Sequence, residues 1–235
     1  GNIVKDYNKD IIFHTDAVQA FGKIPIDIKA AKVDILSVSA HKLHGPKGIG
    51  FLYKRNGVNI PPYLYGGGQQ SGQRSGTEPV FLIYGMSVAI DKAFEGNTAI
   101  IPVPKHMNNI YELREYFING LKSMENVYIN GYENAETDRE KYFLPNIVSV
   151  TFDGVRAEVL LHALEEKGIY VSSGSACSSN KPGLSSVIQA IGVDKVKQDS
   201  NIRFSMDEHI TKEDIDYVLD TLKEQVPFLR QFTRR

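Results

Sequence analysis

Hydrophobic and polar positions change period several times along the chain, which separates strand-like from helix-like stretches. Residues 11–15 (Ile-Ile-Phe-His-Thr) and 33–39 (Val-Asp-Ile-Leu-Ser-Val-Ser) are short β-branched and aromatic runs, and residues 16–32 between them suit a crossover joining parallel neighbours. Gly45-Pro46-Lys47-Gly48 is turn punctuation, and residues 49–54 read as a third strand. Gly66-Gly67-Gly68 opens a polar, glycine-rich loop running to Thr77, whose length and position suit a site loop. From Pro79 onward Phe81, Tyr84, Val88 and Phe94 recur at roughly helical spacing and predict a helix ending near Gly96. Pro102 and Pro104 then break the chain before a helix over residues 105–124, which places a domain boundary between residues 1–101 and 102–235.

The second half alternates strand and helix signals. Strands are expected at residues 127–130, 147–152, 169–172 and 202–205, with helices at 156–167 and near 185–191. Thr211-Lys212-Glu213-Asp214 is a capping-box-like start for a final helix that gathers Ile215, Val218, Leu219 and Leu222 on one face. The fold class is α/β: a portion of a mostly parallel sheet domain, followed by a smaller α/β domain. Gly1 to Asp10 has no recognisable start and reads as a chain entered partway through a fold.

Composition narrows the function classes. With 42% hydrophobic and 23% charged residues over 235 positions the chain has material for a real core. Twenty-seven basic against 28 acidic residues leave a net charge of -1, so no general field draws nucleic acid or an anionic membrane. There is no signal-peptide pattern or long apolar run, and the single cysteine admits no internal disulfide, which suits a cytoplasmic protein.

If residues 11–15 and 33–39 are parallel neighbours, Thr15-Asp16 and Ser39-Ala40-His41-Lys42 both fall at carboxyl ends of strands, where open parallel sheets gather ligands. An amine set among polar groups there can attack an aldehyde to make a Schiff base, which makes Lys42 a candidate anchor. Asp16 is a candidate partner for a cationic ring nitrogen, and Gln19 for a phenolic oxygen on the same ring. This pairing is what pyridoxal phosphate requires. Gly66 to Thr77 offers backbone N–H groups, hydroxyls and Arg74 for an anionic group. His41 and His44 lack the cysteine or carboxylate company of a metal site, and no metal is expected. Cys177 sits in a small, polar stretch, Ser172 to Asn180, where a thiol can move between substrate and acceptor. Arg203 suits either a structural ion pair or a clamp for a substrate carboxylate.

Five ordered motifs resemble the cysteine desulfurases, in the class V aminotransferase group of fold-type I pyridoxal-phosphate enzymes. They are His14-Thr-Asp-Ala-Val-Gln, Ser39-Ala-His-Lys with Gly45-Pro-Lys-Gly, Gly66-Gly-Gly through Arg74-Ser-Gly-Thr, Ser172-Ser-Gly-Ser-Ala-Cys and Ile202-Arg-Phe-Ser. The resemblance assigns residues 1–101 to the C-terminal part of the large cofactor-binding domain and 102–235 to the small domain. It implies that Lys42 holds the cofactor, Asp16 pairs with the pyridine nitrogen, Gln19 contacts the ring oxygen, and Ser39 with His41 binds the phosphate. Lys42, His41 and Cys177 form the candidate catalytic set. Thr77 would contact the phosphate of a neighbouring subunit in a homodimer, and Arg203 would take the carboxylate of L-cysteine. Cys177 would attack the cofactor-bound sulfur, leaving an enzyme persulfide and releasing alanine, with delivery to an iron-sulfur scaffold or another sulfur acceptor protein.

The family's chain extends further toward the N-terminus, where it carries a phosphate-cradling turn, a histidine stacked on the ring and an asparagine near the ring oxygen. A chain starting at Gly1 is therefore expected to bind cofactor weakly and to be inactive alone. After Cys177, Asn180-Lys-Pro-Gly departs from the family pattern. The alternatives are a related class V enzyme, a selenocysteine lyase or an aminotransferase, which needs Lys42 and Asp16 but not the thiol, and a non-catalytic truncated scaffold.

Overall fold

A computed structural model describes residues 1–94, 106–131, 143–173 and 185–232. The chain divides into two compact units, Gly1–Lys105 and His106–Arg235.

In the first unit, helix α1 (Asn2–Tyr7) leads to strand β1 (His14–Asp16), then β2 (Ile35–Ser39), a 3-10 turn (Ala40–Leu43) and β3 (Gly50–Lys54). A second 3-10 turn (Gln69–Gly72) and helix α2 (Val80–Phe94) follow. The sheet order is β1-β2-β3. β1 runs parallel to β2, with His14 opposite Ile35 and Asp16 opposite Ser37, whereas β3 returns antiparallel, with Ser39 opposite Gly50. The sheet is therefore mixed, because the Gly45–Ile49 turn is too short for a crossover and sends β3 back along β2. The connection from β1 to β2 is built of turns rather than a helix.

Strand β2 alternates strictly: Leu36 and Val38 are buried, whereas Ile35, Ser37 and Ser39 are half-buried on the other face. Leu36 and Val38 pack with Ala17, Phe21, Leu43, Met86 and Phe94 into one core. Gly50 is required by close approach, since a Cβ there would meet the Val38 carbonyl oxygen at 2.3 Å. Phe81 and Tyr84, which carried the helical periodicity of α2, are 78% and 71% exposed, and Met86, Ala89 and Phe94 are the buried residues. At the amino end of β2 the buried Asp34 accepts from Lys5 Nζ, from the Phe13 backbone N–H at 2.8 Å and from Arg55 Nε at 2.7 Å.

The second unit opens with α3 (His106–Lys122) and continues through β4 (Val127–Ile129), β5 (Ile147–Phe152), α4 (Ala157–Glu165) and β6 (Ser172–Ser173). It closes with α5 (Ser186–Ala190), a 3-10 segment (Lys195–Ser200), β7 (Asn201–Ser205) and α6 (Lys212–Arg230). The sheet order is β4-β5-β7-β6, antiparallel throughout. Val148, Val150, Phe152, Ile202 and Phe204 bury one face against Phe117, Leu121, Leu160, Leu164, Leu219 and Leu222 of the long helices. The other face is polar: Ser149 Oγ accepts from the amides of Asn130 at 3.1 Å and Asn201 at 3.0 Å. Thr211 caps α6 reciprocally with Asp214, the capping box read from the sequence.

Candidate active site

β1 and β2 are parallel and adjacent, so their carboxyl ends lie at one edge of the sheet. Asp16 is the last residue of β1, and the Ala17 N–H continues the ladder to the Ser37 carbonyl at 2.9 Å. Asp16 Oδ1 accepts from the Val18 N–H at 2.8 Å, an Asx turn that ties one carboxylate oxygen. The chain then makes a helical turn, with the N–H groups of Ala20 and Phe21 both returning to the Ala17 carbonyl. Gln19 stands exposed on that turn, two residues before the buried Phe21 that pins it.

β2 ends in the 3-10 turn, in which Ala40 and Leu43 are buried anchors. His41 is thereby exposed and Lys42 half-buried, beyond the carboxyl end of β2. Ser39 Oγ and His41 Nδ1 are 2.8 Å apart, so hydroxyl and imidazole sit as one polar group. The turn is closed by the Gly45 N–H to the Ala40 carbonyl at 3.0 Å, and Lys23 Nζ reaches the Lys42 carbonyl at 3.4 Å. Gly22, at φ +78°, lies against this turn: a Cβ there would meet Leu43 Cδ2 at 2.4 Å. Asp16, Gln19, Ser39, His41 and Lys42 therefore share one edge of one unit.

The glycine-rich loop folds on itself in the same unit. Ser75 Oγ donates to the Gly67 carbonyl at 2.8 Å, the Gly76 N–H donates to Gln69 Oε1 at 3.1 Å, and Arg74 Nη1 donates to the Ser75 carbonyl at 2.6 Å. Thr77 is exposed at its end. In the second unit, Arg203 on β7 lies opposite Ser149 of β5 and Ser172 of β6, and its Nη2 donates to Ser172 Oγ at 3.4 Å. Arg203 Nε is buried, with no acceptor among the described residues. Cys177 and the Asn180-Lys-Pro-Gly departure lie outside the described residues.

Sequence reasoning passed over His14 and Ser37, whose Nε2 and Oγ are 2.8 Å apart on the face that carries Asp16. The signal was present as two-residue spacing, His14 with Asp16 and Ser37 with Ser39, which puts all four on one side of paired strands.

The sequence matches the family described as Aminotransferase class-V over residues 1–218. The chain belongs to this family. Class V aminotransferases and cysteine desulfurases are pyridoxal-phosphate-dependent. Among curated class V relatives, the cysteine desulfurase IscS of Dictyoglomus turgidum is 42% identical over 229 residues, covering 97% of this chain and 54% of the relative. IscS of Klebsiella pneumoniae is 41% identical over 227 residues, with 96% and 52% covered. The chain thus spans about half the length of the curated relatives it matches. Among solved structures, a NifS-like protein aligns with a TM-score of 0.78 at 36% identity over 97% of this chain and 56% of that one. An apo cysteine desulfurase from Thermococcus onnurineus, at 23% identity and a TM-score of 0.78, shares the fold over 97% of this chain and 55% of its own. No helix among the described residues is long and apolar enough to cross a membrane.

The donor set fits the family's cofactor. A phosphorylated pyridine aldehyde needs an amine, a carboxylate and phosphate donors in one place. Lys42, Asp16 and the Ser39–His41 pair supply one of each at the same sheet edge.

Proposed function

We infer that the chain carries the lysine and thiol chemistry of a pyridoxal-phosphate-dependent cysteine desulfurase, which removes sulfur from L-cysteine and releases L-alanine. The observation that supports it best is the placement of Asp16 and Lys42 at the carboxyl ends of adjacent parallel strands. When bound, the cofactor supplies an electron sink for the carbon framework of the amino acid.

Each residue has a task suited to its chemistry. Lys42 binds the cofactor aldehyde through its amine, and Asp16 keeps a proton on the pyridine nitrogen with the oxygen its Asx turn leaves available. Gln19 donates to the ring oxygen. Ser39 and His41, already hydrogen-bonded to each other, hold the phosphate, and Thr77 serves the phosphate of a second subunit in a homodimer. Arg203 takes the substrate carboxylate; its buried Nε and its contact with Ser172 limit the directions open to the guanidinium. The Cys177 thiolate attacks the sulfur of the bound cysteine, a new S–S bond forms as the C–S bond breaks, and the alanyl carbon keeps the electron pair and is protonated. The persulfide then passes to a sulfur acceptor, such as an iron-sulfur scaffold protein, in the cytoplasm.

The test is borohydride reduction at saturating pyridoxal phosphate, followed by peptide mass mapping. A reduced cofactor adduct confined to Lys42 is expected. An adduct spread evenly over the lysines overturns the assignment.

A further inference from the structure

We propose that Lys23 is a positioning residue for Lys42: its ammonium holds the Lys42 main-chain carbonyl and so fixes the direction in which the Lys42 side chain leaves its turn. This rests on the reading of Lys42 as the cofactor anchor.

The hydrogen-bond donors of the 3-10 turn Ala40–Leu43 carry it. A carbonyl in a helical turn takes the N–H of the residue three or four positions further on. For Lys42 those residues are Gly45 and Pro46. The Gly45 N–H is committed to the Ala40 carbonyl at 3.0 Å, and proline has no N–H. The Lys42 carbonyl therefore has to take its donor from outside the turn, and Lys23 Nζ reaches it at 3.4 Å. The distance is long for a hydrogen bond, and the charge on the donor offsets that.

Lys23 reaches from a fixed base. The N–H groups of Lys23 and Ile24 both return to the Ala20 carbonyl, at 3.0 and 3.1 Å. Phe21 is buried edge-on against Phe51 and Phe94, with ring centroids 5.3 and 5.4 Å away. Gly22 lies against the side chain of Leu43. The segment that follows Asp16 and Gln19 thus rests on the turn that carries Lys42, and Lys23 makes the polar contact between them.

A peptide plane turns only through the soft dihedrals on either side of it. Holding the Lys42 carbonyl fixes the ψ of that residue, and the backbone dihedrals decide which side-chain rotamers are open. Fewer rotamers then carry the amine away from the sheet edge where Asp16, Ser39 and His41 stand.

Lys42–Leu43 is the single Lys–Leu step in the sequence, so lysine labelled with 13C at the carbonyl and leucine labelled with 15N give one carbonyl–amide cross-peak. Methionine at position 23 keeps the length of the side chain and removes its charge. In the chain without cofactor, Lys23→Met should move the Lys42 carbonyl resonance upfield, and Lys23→Arg should return it toward the wild type. An unmoved resonance in Lys23→Met overturns the proposal.

Cyanoborohydride trapping of pyridoxal phosphate at limiting cofactor is the second readout, with the exposed Lys47 of the following turn as internal reference. The ratio of adduct on Lys42 to adduct on Lys47 should fall about fivefold in Lys23→Met, the size of one net hydrogen bond, and recover in Lys23→Arg. The pH profile of that ratio should stay in place, because the effect runs through the main chain. A profile displaced to higher pH would make Lys23 a charged neighbour of the amine, and one ratio in all three proteins would make it a plain surface contact; either result overturns the proposal. Absence of adduct from Lys42 in the wild type removes the anchor reading instead, and the carbonyl resonance still judges the bond itself.

Discussion

Lys5 of helix α1 and Asp34 at the head of β2 form an ion pair in which the carboxylate is 1% and the lysine side chain 13% exposed. The hydrogen bond from Lys5, helped by the Phe13 N–H and Arg55, holds the Asp34 carboxyl well below the usual carboxylate range. Removing one partner of a buried pair strands the other, so Asp34→Asn should cost about 3 kcal/mol at pH 7. The folded-state pKa is depressed, so this stabilisation is complete above the unfolded value, near ~3.9, and is lost as pH falls below it. Urea unfolding of both proteins at pH 7, 5 and 3 should give a constant gap between the first two and a smaller one at the third. A gap that already closes between pH 7 and 5 would show that another group supplies the stability.

The two faces of α2 make opposite predictions. Phe81 is mostly exposed, and Phe81→Ser should change stability by less than about 0.5 kcal/mol. Met86 is buried in the core of the first unit, and Met86→Ala should cost about 3 kcal/mol. Chemical denaturation of the two variants compares them directly; equal losses would mean that the Phe81 face is covered in solution.

Gly50 supports the lysine turn from the opposite strand. A methyl group there meets the Val38 carbonyl oxygen, which is backbone and cannot swing away, so β3 must shift and about 2 kcal/mol is lost. The Ala40 N–H bonds to the Ile49 carbonyl at 3.1 Å, next to the displaced residue. Gly50→Ala should therefore speed hydrogen exchange at Ala40 and reduce the borohydride-trapped adduct on Lys42. Unaltered exchange at Ala40 would separate the turn from β3.

In a full-length chain carrying these residues, with cofactor and L-cysteine supplied, alkylation and mass mapping should find the persulfide on Cys177. Cys177→Ala should abolish it while keeping the Lys42 adduct. Undiminished sulfide release from that variant would point to a lyase that does not use the thiol.

Periodicity located most elements because the cores are one-sided: the alternation of β2, the strand–helix order of the second unit and the capping box of α6 were all legible. Boundaries slipped where an apolar residue serves something other than a strand. Ile11 and Ile12 are exposed ahead of β1, which starts at His14. Ile169 is buried, but its N–H returns to the Leu164 carbonyl beyond the end of α4, so β6 starts only at Ser172. The α2 periodicity gave the helix but not its buried side: Phe81 and Tyr84 face outward, and spacing does not say which side the core lies on. The carboxylate and amine of the candidate site could be placed because topology puts strand ends together. The Asp34 pairing was hidden, since its cations come from helix α1 and from Arg55 just past β3, both distant in sequence.

Strand β6 has two ladder positions, Ser172 against Arg203 and Ser173 against Ile202. That short contact leaves register to few bonds: a slip of β6 by one residue against β7 would set Ser173 opposite Arg203, turn Ser172 to the other face and take away the hydroxyl that Arg203 Nη2 now meets.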